Sequence, residues 1–362
     1  MRYAVIVHGP EAVDTGLVSQ LVSYLQRSGE VRAVMSGYTG VAAVIDAGLE
    51  GLIDISMRRV PSETLAKFND WADILVLANS AKSPDSAMRF GSIVHGRSIG
   101  RVTKPLIQVD QEAIILWCGC KNDLADELSV EMKRPVIEGR PSVDHNGEWR
   151  DLGGVLLGEN VWVNGVVIGK ATSSDVSIGK DGMDKIVARG IDLKPTGVAR
   201  LGRYEPSTAH VRSGVVRRTS AEPRVAKGKG KGGIFLIDHA AERAIYHCRG
   251  ASSVVTVGDD TSRTAGSVLA RFGVPIIAIV DGDEDGITND RTLSEGSVVL
   301  RMMSGTDDLV GMEVRREIFK GETWLDVKMS PDEMAEAIAL IAGERLLGPI
   351  CSHDQERPWI TR

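Results

Sequence analysis

Runs of apolar residues alternate with amphipathic segments along the first part of the chain. Residues 3–7, 74–77 and 106–109 are almost wholly apolar, which is typical of strands that are buried on both faces of a sheet. The segments between them place apolar side chains at helical spacing. Strands that alternate with helices form parallel sheets covered by helices, so we predict a Rossmann-like α/β domain over residues 1–140.

Two helices have recognisable boundaries in the sequence. Residues 17–25 carry apolar side chains on one helical face, and we expect Asp14 to cap the start of this helix. Near the other end of the chain, Ser330 and Glu333 have the spacing of a capping box, with a proline between them at the first helical position. We expect the helix that follows to end near Gly348.

The same alternation returns in the last third of the chain. Residues 254–257 and 275–280 are apolar runs separated by a helical pattern. We therefore predict a second α/β domain over residues 234–348. Residues 349–362 show no periodicity and are expected to form a tail.

The middle of the chain, residues 141–233, consists of short apolar segments between glycines. Asn164-Gly165 separates two of them, which predicts a β-hairpin. A run of alternating lysine and glycine, residues 227–233, ends this segment and is either a cradle for a phosphate chain or a linker. The expected fold class is α/β, with two Rossmann-like parallel-sheet domains and a small β-rich domain between them.

Composition excludes several classes of protein. Of the 362 residues, 43% are hydrophobic and 25% are charged, which is the composition of a globular protein and not of a disordered chain. No apolar run is long enough to cross a membrane. Four cysteines in a chain of this length do not form a disulfide framework, so we expect a cytoplasmic protein.

Charge is unevenly distributed. Residues 141–233 carry 15 Lys and Arg against 10 Asp and Glu, although the formal net charge of the whole chain is −6. An acidic chain makes nucleic acid an unlikely partner, so we expect a small phosphorylated molecule or a nucleotide instead. Association with further copies of the chain stays open.

The first candidate site follows the predicted strand 254–257. Gly258 permits a tight turn, and the amides of Thr261 and Ser262 are expected at a helix N-terminus, where the dipole favours an anion such as phosphate. Asp259 and Asp260 would position or activate the attacking group. A purely structural role, with one of these aspartates capping the helix, is the alternative.

An acidic loop follows the next predicted strand. Asp281, Asp283 and Asp285 place three carboxylates within five residues, and such density requires a cation, a basic side chain or protonation. Oxygen ligands favour Mg²⁺, which commonly binds substrate phosphate as well. We predict that these three residues, with Asp238 after an earlier strand, hold magnesium and that Asp283 takes part in catalysis. The alternative is a solvated acidic turn.

The C-terminal part resembles three known modules. Residues 258–262 and the strand that opens at Pro275 resemble the phosphate-binding stretch of phosphofructokinases and NAD kinases. Asp281-x-Asp283-x-x-Gly286 resembles the acidic motif of Toprim domains, which implies Mg²⁺ and phosphodiester chemistry. Residues 237–240 with 273–275 are similar to the thiamine-pyrophosphokinase-like module of some bacterial cell-division proteins.

Over its full length the chain resembles a family of uncharacterised archaeal proteins, mostly from methanogens. The matching segments are His8-Gly9-Pro10 with its flanking residues, the run that ends at Asn79, and residues 257–261. The resemblance implies an archaeal cytoplasmic protein and no particular activity.

A second candidate site lies in the first domain. His8 and Gly9 follow the first predicted strand, while Asn79 and Lys82 follow a later one, so all four are candidate ligand residues. The pattern is neither that of a dinucleotide-binding glycine loop nor that of a P-loop, which argues against both. A histidine bound to the backbone and a solvated lysine are the alternatives.

The four cysteines are candidate metal ligands. Cys118 and Cys120 form one close pair, while Cys248 and Cys351 are far away in the sequence. Structural zinc sites generally use two such pairs, so buried thiols are the ordinary interpretation. The sequence leaves open whether these four residues bind a metal.

Together these observations favour a Mg²⁺-dependent enzyme of the phosphoryl- or nucleotidyl-transfer type. That chemistry depends on positioning and charge neutralisation more than on a special nucleophile. A non-catalytic protein that binds a nucleotide or metabolite, or takes part in an assembly, is the first alternative. A Toprim-type nucleic acid enzyme is the second.

Overall fold

The computed structural model divides the chain into two compact units. The first consists of Met1–Val161, Ile168–Ala209 and Arg217–Ala221, and the second of Trp162–Val167, His210–Val216 and Glu222–Arg362. Among the described residues, no helix is both long and apolar enough to cross a membrane. The residues that the structure describes are 1–37, 39–57, 59–117, 123–140, 149–215, 217–219, 222–225, 232–238, 247–282 and 293–351.

The first unit is built on a seven-stranded sheet. Its strands β1 to β7 are Arg2–His8, Glu30–Ser36, Ile53–Asp54, Ile74–Ala78, Leu106–Val109, Ile114–Leu116 and Val136–Glu138. The order is β3-β2-β1-β4-β5-β6-β7, and every pair is parallel except β5 with β6. The strand order therefore reverses between β1 and β4. Such a reversal leaves a crevice beyond the carboxyl ends of the two central strands.

Helices connect these strands and bury them on both faces. The six helices α1 to α6 are Glu11–Asp14, Leu17–Leu25, Val41–Asp46, Pro61–Phe68, Pro84–Ser98 and Asp123–Met132. Strands β1, β4 and β5 confirm the three predicted apolar strands. The predicted cap at Asp14 is wrong, because Asp14 ends α1 and Gly16, with φ of 75°, precedes α2. A left-handed residue is needed between the two helices, and glycine adopts that conformation without strain.

Seven short strands and one helix follow. Strands β8 to β14 are Trp149–Asp151, Asn160–Val163, Val166–Ala171, Ser177–Lys180, Ile186–Arg189, Ile191–Leu193 and Val211–Ser213, and α7 is Pro195–Leu201. They form two small sheets, ordered β13-β10-β9-β14 and β12-β11-β8. Asn164 and Gly165 have φ of 50° and 86° between β9 and β10, which confirms the predicted hairpin turn.

The second unit contains a six-stranded sheet in the order β19-β15-β16-β17-β18-β20. Strands β15 to β20 are Ile234–Asp238, Ser253–Val257, Ile276–Val280, Val298–Met302, Trp324–Leu325 and Leu346–Cys351. The four central strands are parallel, and the two edge strands are antiparallel. Helices α8 to α10 are Asp259–Ala270, Asp307–Glu317 and Pro331–Ala342. The parallel-rich sheets of the two units confirm the α/β class.

The start of α10 confirms the predicted capping box. Ser330 Oγ accepts from the amide of Glu333 at 3.2 Å, and Glu333 Oε2 accepts from the amide of Ser330 at 2.7 Å. The expected end near Gly348 is wrong. Gly343, with φ of 56°, stops the helix after Ala342, and the following residues pair with β18 as an antiparallel edge strand.

Candidate functional site

Three aspartates meet at one edge of the sheet in the second unit. Asp259 follows β16 at the start of α8, Asp281 follows β17, and Asp307 begins α9 after β18. They are 8%, 9% and 2% exposed, respectively. One carboxylate oxygen from each lies within 4.8 Å of the others. Neighbouring parallel strands end at the same edge of a sheet, and this brings together residues that are far apart in sequence.

Backbone amides hold two of the three carboxylates. Asp259 Oδ2 accepts from the amides of Asp281 and Gly282 at 3.3 and 3.0 Å. Asp281 Oδ2 accepts from the amide of Gly305 at 2.6 Å. Each carboxylate is therefore bound to the loop that follows the next strand, so the main chain sets the spacing of the group.

The electrostatics of this acidic triad, Asp259, Asp281 and Asp307, favour a cation. Three carboxylates in a water-poor environment repel one another, and burying each charge is costly unless it is compensated. The donor set consists of oxygen atoms only, which suits Mg²⁺ or Mn²⁺ better than a soft metal. The residues therefore fit a hard divalent cation.

Two members of the triad, Asp259 and Asp281, are residues predicted from the sequence, and the third, Asp307, is not. Asp307 lies after β18, but four residues separate it from the strand, so it is not marked as a residue directly after an apolar run would be. Asp238, predicted as a ligand, is the last residue of β15 and is not one of the three residues of the group. The predicted ligands Asp283 and Asp285 lie outside the described residues.

The predicted phosphate loop forms the first turn of α8. Gly258 precedes the helix with φ of 93°, and its amide donates to the carbonyl of Ile279 at 2.9 Å. Ser262 is fully buried: its amide donates to the carbonyl of Gly258 at 2.9 Å, and its hydroxyl bonds with that of Thr256 at 2.7 Å. Ser262 thus stabilises the turn from within. Thr261 is also buried, and Asp260 lies in the same turn.

The second predicted site lies at the strand reversal of the first unit. His8 ends β1, and Asn79 follows β4. His8 Nδ1 lies 3.2 Å from Asn79 Oδ1, and Asn79 Nδ2 donates to Asp110 Oδ2 at 2.8 Å. The His8 ring stacks on Phe90 with centroids 4.3 Å apart, and Gly9 adopts φ of 79°. The structure thus brings the predicted residues His8, Gly9 and Asn79 together. We call the space that they border the switch-point crevice.

Two ion pairs lie near the switch-point crevice. Lys82 Nζ donates to both carboxylate oxygens of Glu159 at 2.6 and 2.7 Å. Burial lowers the pKa of Lys82, while the hydrogen bond and charge of Glu159 act in the opposite direction. Arg218 donates from its amide and Nε to Glu11 and from Nη2 to the carbonyl of Ser80. The ammonium of Lys82, predicted to bind a ligand, is therefore bound to a carboxylate of the protein.

Arg217 is more deeply buried than its neighbour Arg218, and two carboxylates bind its guanidinium. Arg217 donates to Asp14 from Nε and Nη2 at 2.7 Å and to Asp46 from Nη1 at 2.6 Å. Burial alone would lower the pKa of Arg217, but hydrogen bonds to the two carboxylates outweigh it and raise the pKa. Thr219 donates to Asp14 as well. These contacts place the 217–219 segment against α1 and α3.

The thiol of Cys248 is buried. Cys248 is 1% exposed, and burial raises the pKa of its thiol to about 12. Such a thiol is almost wholly protonated at neutral pH and is a poor nucleophile. Cys118 and Cys120 lie outside the described residues, and Cys351 ends β20.

Comparison with known proteins places both candidate sites within one region of similarity. Residues 5–322 match the model of a family described as "Uncharacterized protein conserved in archaea (DUF2117)". The chain is also 34% identical over 335 residues to an uncharacterized protein of Methanocaldococcus jannaschii, a match that covers 88% of this chain and 92% of that protein. Neither description names an activity.

Proposed function

The chain belongs to this archaeal family of uncharacterized proteins, and from that premise we propose that it is a magnesium-dependent enzyme acting on a nucleotide or another phosphorylated metabolite. The proposed reaction is phosphoryl or nucleotidyl transfer at the acidic triad. Membership in the family confirms the resemblance found in the sequence. The reaction itself is a proposal.

The observation that carries the proposal is the burial of three carboxylates within 4.8 Å of one another at Asp259, Asp281 and Asp307. Solvated acidic residues on a surface turn need no cation, because water screens their charges. These residues are at least nine-tenths buried, so water screens them poorly. A divalent cation would offset their repulsion and would leave coordination positions for phosphate oxygens.

The proposed roles follow from the chemistry of phosphoryl transfer. A hard divalent cation polarises the phosphoryl group and neutralises the charge that develops on its oxygens. The triad would hold that cation, and the main-chain bonds to Asp259 and Asp281 would keep the carboxylates in place. The glycine at position 258 would let the backbone approach the substrate closely.

A cationic side chain near the triad supports a phosphorylated substrate. Arg301 lies on β18, and a Cβ placed on Gly282 would be 3.3 Å from its Nη2, so the guanidinium lies against the loop that binds Asp259. Arg301 Nε is buried and makes no hydrogen bond with the described residues. Arginine binds phosphate through paired N–H groups, so it would complement the cation on the substrate.

Metal binding by the purified full-length chain tests the proposal, with Mn²⁺ as a paramagnetic probe. We expect one Mn²⁺ per chain by titration calorimetry and electron paramagnetic resonance. Asp307→Asn should weaken this binding at least tenfold, because it removes one of three charged ligands. Glu336→Gln removes one negative charge from the exposed side of α10 in the same unit and should leave binding unchanged.

Turnover is the second measurement. Release of phosphate or pyrophosphate from nucleoside triphosphates should require Mg²⁺ or Mn²⁺ and should be lost in Asp307→Asn. If the wild-type chain binds no Mn²⁺, or if Asp307→Asn binds it as tightly as wild type, the assignment of the triad is wrong. Mn²⁺ binding with retention of a nucleotide but no turnover would indicate a binding protein instead of an enzyme.

A further inference from the structure

A buried hydroxyl group of α8 lies beside the acidic triad. Thr261 belongs to the first turn of this helix and is 7% exposed. A Cβ placed on Gly258 would lie 3.8 Å from Thr261 Oγ1 and 3.9 Å from Asp307 Oδ2. Apart from the chain neighbours of Gly258, the described residues bring no other heavy atom within 4 Å of that point. The hydroxyl and one carboxylate of the triad therefore border the same small space.

The two hydroxyl groups of this turn differ in their partners. Ser262 Oγ bonds with Thr256 Oγ1 at 2.7 Å, so its partner lies on the neighbouring strand β16. Within the described part of the chain, Thr261 Oγ1 makes no hydrogen bond. A buried hydroxyl without a partner is destabilising, and such groups are generally satisfied by ordered water or by a ligand. A partner for Thr261 is therefore expected in the space that it shares with Asp307.

The space beside Gly258 suits a water molecule. Polar atoms border it, and an atom at the Cβ position would make no close contact with Thr261 or Asp307. A water molecule there can donate to the carboxylate of Asp307, which only accepts, and can bond with the hydroxyl of Thr261. Mg²⁺ keeps several of its waters when carboxylates bind it, so this water can belong to a cation held by the triad.

A neutral hydroxyl is well suited as a fourth group at this site. Three ionised carboxylates, those of Asp259, Asp281 and Asp307, already exceed the charge of one divalent cation. A fourth carboxylate would add repulsion, whereas a hydroxyl adds a hydrogen-bonding oxygen without charge. Thr261 can therefore fix the position of a hydrated cation without adding to the charge of the triad.

We propose that Thr261 is a positioning residue that makes the cation site selective for Mg²⁺ over Ca²⁺, an inference that rests on the proposed function of the triad. Its hydroxyl holds a water molecule of the bound cation in the space beside Gly258. Mg²⁺ loses its waters reluctantly, so it gains from a group that binds one of them. Ca²⁺ takes more oxygen ligands in a flexible geometry and gains less from a single held water.

Competition for bound Mn²⁺ in the full-length chain, followed by electron paramagnetic resonance, tests the selectivity. In the wild type, Mg²⁺ should displace Mn²⁺ at a lower concentration than Ca²⁺ does. Thr261→Val keeps the shape of the side chain and removes the hydroxyl. It should weaken the binding of Mn²⁺ and Mg²⁺ about tenfold, the effect of losing a group that orients a metal ligand, and that of Ca²⁺ less. Thr261→Ser keeps the hydroxyl and should retain the preference for Mg²⁺.

Two controls separate this role from a structural one. Thr264→Val removes another buried hydroxyl of α8 that makes no hydrogen bond with the described residues, and it should change no affinity. In EDTA, Thr261→Val should resist urea as well as the wild type does, because the hydroxyl has no partner in the metal-free protein.

The outcomes distinguish this inference from the proposed function. If the wild type binds no Mn²⁺, the triad is misassigned and the role of Thr261 is wrong with it. If the wild type binds Mn²⁺ but prefers Ca²⁺ to Mg²⁺, or if Thr261→Val keeps the wild-type affinities or weakens Mg²⁺ and Ca²⁺ equally, the triad stands and the role of Thr261 is wrong. A loss of stability of Thr261→Val in EDTA would likewise assign this residue a structural role.

Discussion

The backbone amide of Gly282 donates a hydrogen bond of 3.0 Å to Oδ2 of Asp259. Gly282 follows β17 and Asp259 follows β16, so this bond joins the loops of two neighbouring strands. The same carboxylate accepts from the amide of Asp281, itself a member of the triad. Asp259 therefore supports the local backbone, and it would also offer an oxygen to the proposed cation. Its substitution would affect both roles, so Asp307 is the better residue for testing metal binding.

The turn before Asp259 should tolerate only glycine. Gly258 has φ of 93° and ψ of 145°, a region that is strained for any residue with a Cβ. Gly258→Ala should lower the free energy of unfolding by about 1–3 kcal/mol, although the nearest atoms to the new Cβ would be 3.8 Å away. Urea unfolding followed by circular dichroism measures the change.

A substitution at a second glycine provides a control, because it should change the free energy of unfolding in the opposite direction. Gly96 lies within α5, where a Cβ would meet nothing within 4 Å. Gly96→Ala should increase stability by about 0.5–1 kcal/mol, because alanine is the better helix former. Equal effects of the two substitutions would show that the conformation of Gly258 is not a source of strain.

Apolar runs were enough to predict the central strands. Residues 3–7, 74–77 and 275–280 lie between layers of helices, so burial on both faces leaves a continuous apolar signal. Helix α5 is not predicted from the sequence because small and polar residues interrupt its apolar face. The predicted end of α10 is too late because Gly343, and not Gly348, stops the helix.

The residues of the acidic triad could be predicted from the sequence only in part. Asp281 directly follows an apolar strand, and Asp259 follows another after a single glycine, so the sequence indicated both. Asp307 becomes their neighbour only when β18 pairs with β17 in parallel, a long-range fact that local patterns do not contain. The buried ion pairs of Arg217 likewise join residues that are 203 and 171 positions apart.

Arg217 should be essential for the stability of the first unit. It lies between Asp14 and Asp46, and the side chains of all three are less than a tenth exposed. Arg217→Met would leave two carboxylates close together in a water-poor environment and should cost about 3–5 kcal/mol of unfolding free energy. Chemical denaturation of the full chain, followed by tryptophan fluorescence, provides the measurement.

The neighbouring arginine serves as the matched control. Arg218 is 38% exposed and pairs with Glu11, so solvent screens the interaction. Arg218→Met should cost less than about 1 kcal/mol. The interpretation of the buried pairs fails if Arg217→Met is as mild as Arg218→Met.

Cys248 should resist alkylation in the folded protein. Its thiol is buried, and burial raises its pKa to about 12, so little thiolate exists at neutral pH and reagents cannot reach it. Treatment with iodoacetamide followed by peptide mass spectrometry should find Cys248 unmodified in buffer and modified in urea. Rapid modification in buffer would contradict the burial of this residue.

The capping box at the start of α10 should contribute to the stability of the fold, and part of this contribution should depend on pH. Ser330→Ala removes the acceptor for the Glu333 amide and should cost about 1 kcal/mol, whereas Ser330→Asp retains an acceptor. Hydrogen bonds from Ser330 lower the pKa of Glu333 in the folded state. The stabilisation is therefore complete above the ordinary glutamate pKa and is lost as the pH falls through the lowered folded value.

Glu333→Gln isolates this pH dependence. The variant should be less stable than the wild type at neutral pH, and the difference should shrink as the pH falls below the glutamate range, because the wild-type side chain then becomes neutral too. Thermal melts at a series of pH values measure the gap. A stability difference that stays constant down to acidic pH would show that the charge of Glu333 plays no part.

Arg301 should bind phosphate without binding the cation. Its guanidinium lies against Gly282, beside the triad, so a phosphate bound to the cation would be within its reach. In Mn²⁺-loaded protein, Arg301→Met should weaken pyrophosphate binding roughly 10- to 100-fold, the range for a hydrogen bond to a charged group. The pyrophosphate affinity of Arg301→Lys should lie between those of the wild type and Arg301→Met, since an ammonium keeps the charge but loses the paired N–H geometry. Titration calorimetry with pyrophosphate measures each affinity.

Mn²⁺ affinity separates this role from a structural one. Arg301→Met should bind Mn²⁺ as well as the wild type or better, because a nearby positive charge has been removed. Arg316→Met, an exposed arginine of α9 that pairs with Glu317, should change neither affinity. If Arg301→Met binds pyrophosphate normally while the wild type binds Mn²⁺, the cation site stands and the phosphate role of Arg301 is wrong. If the wild type binds no Mn²⁺, the triad itself has been misassigned.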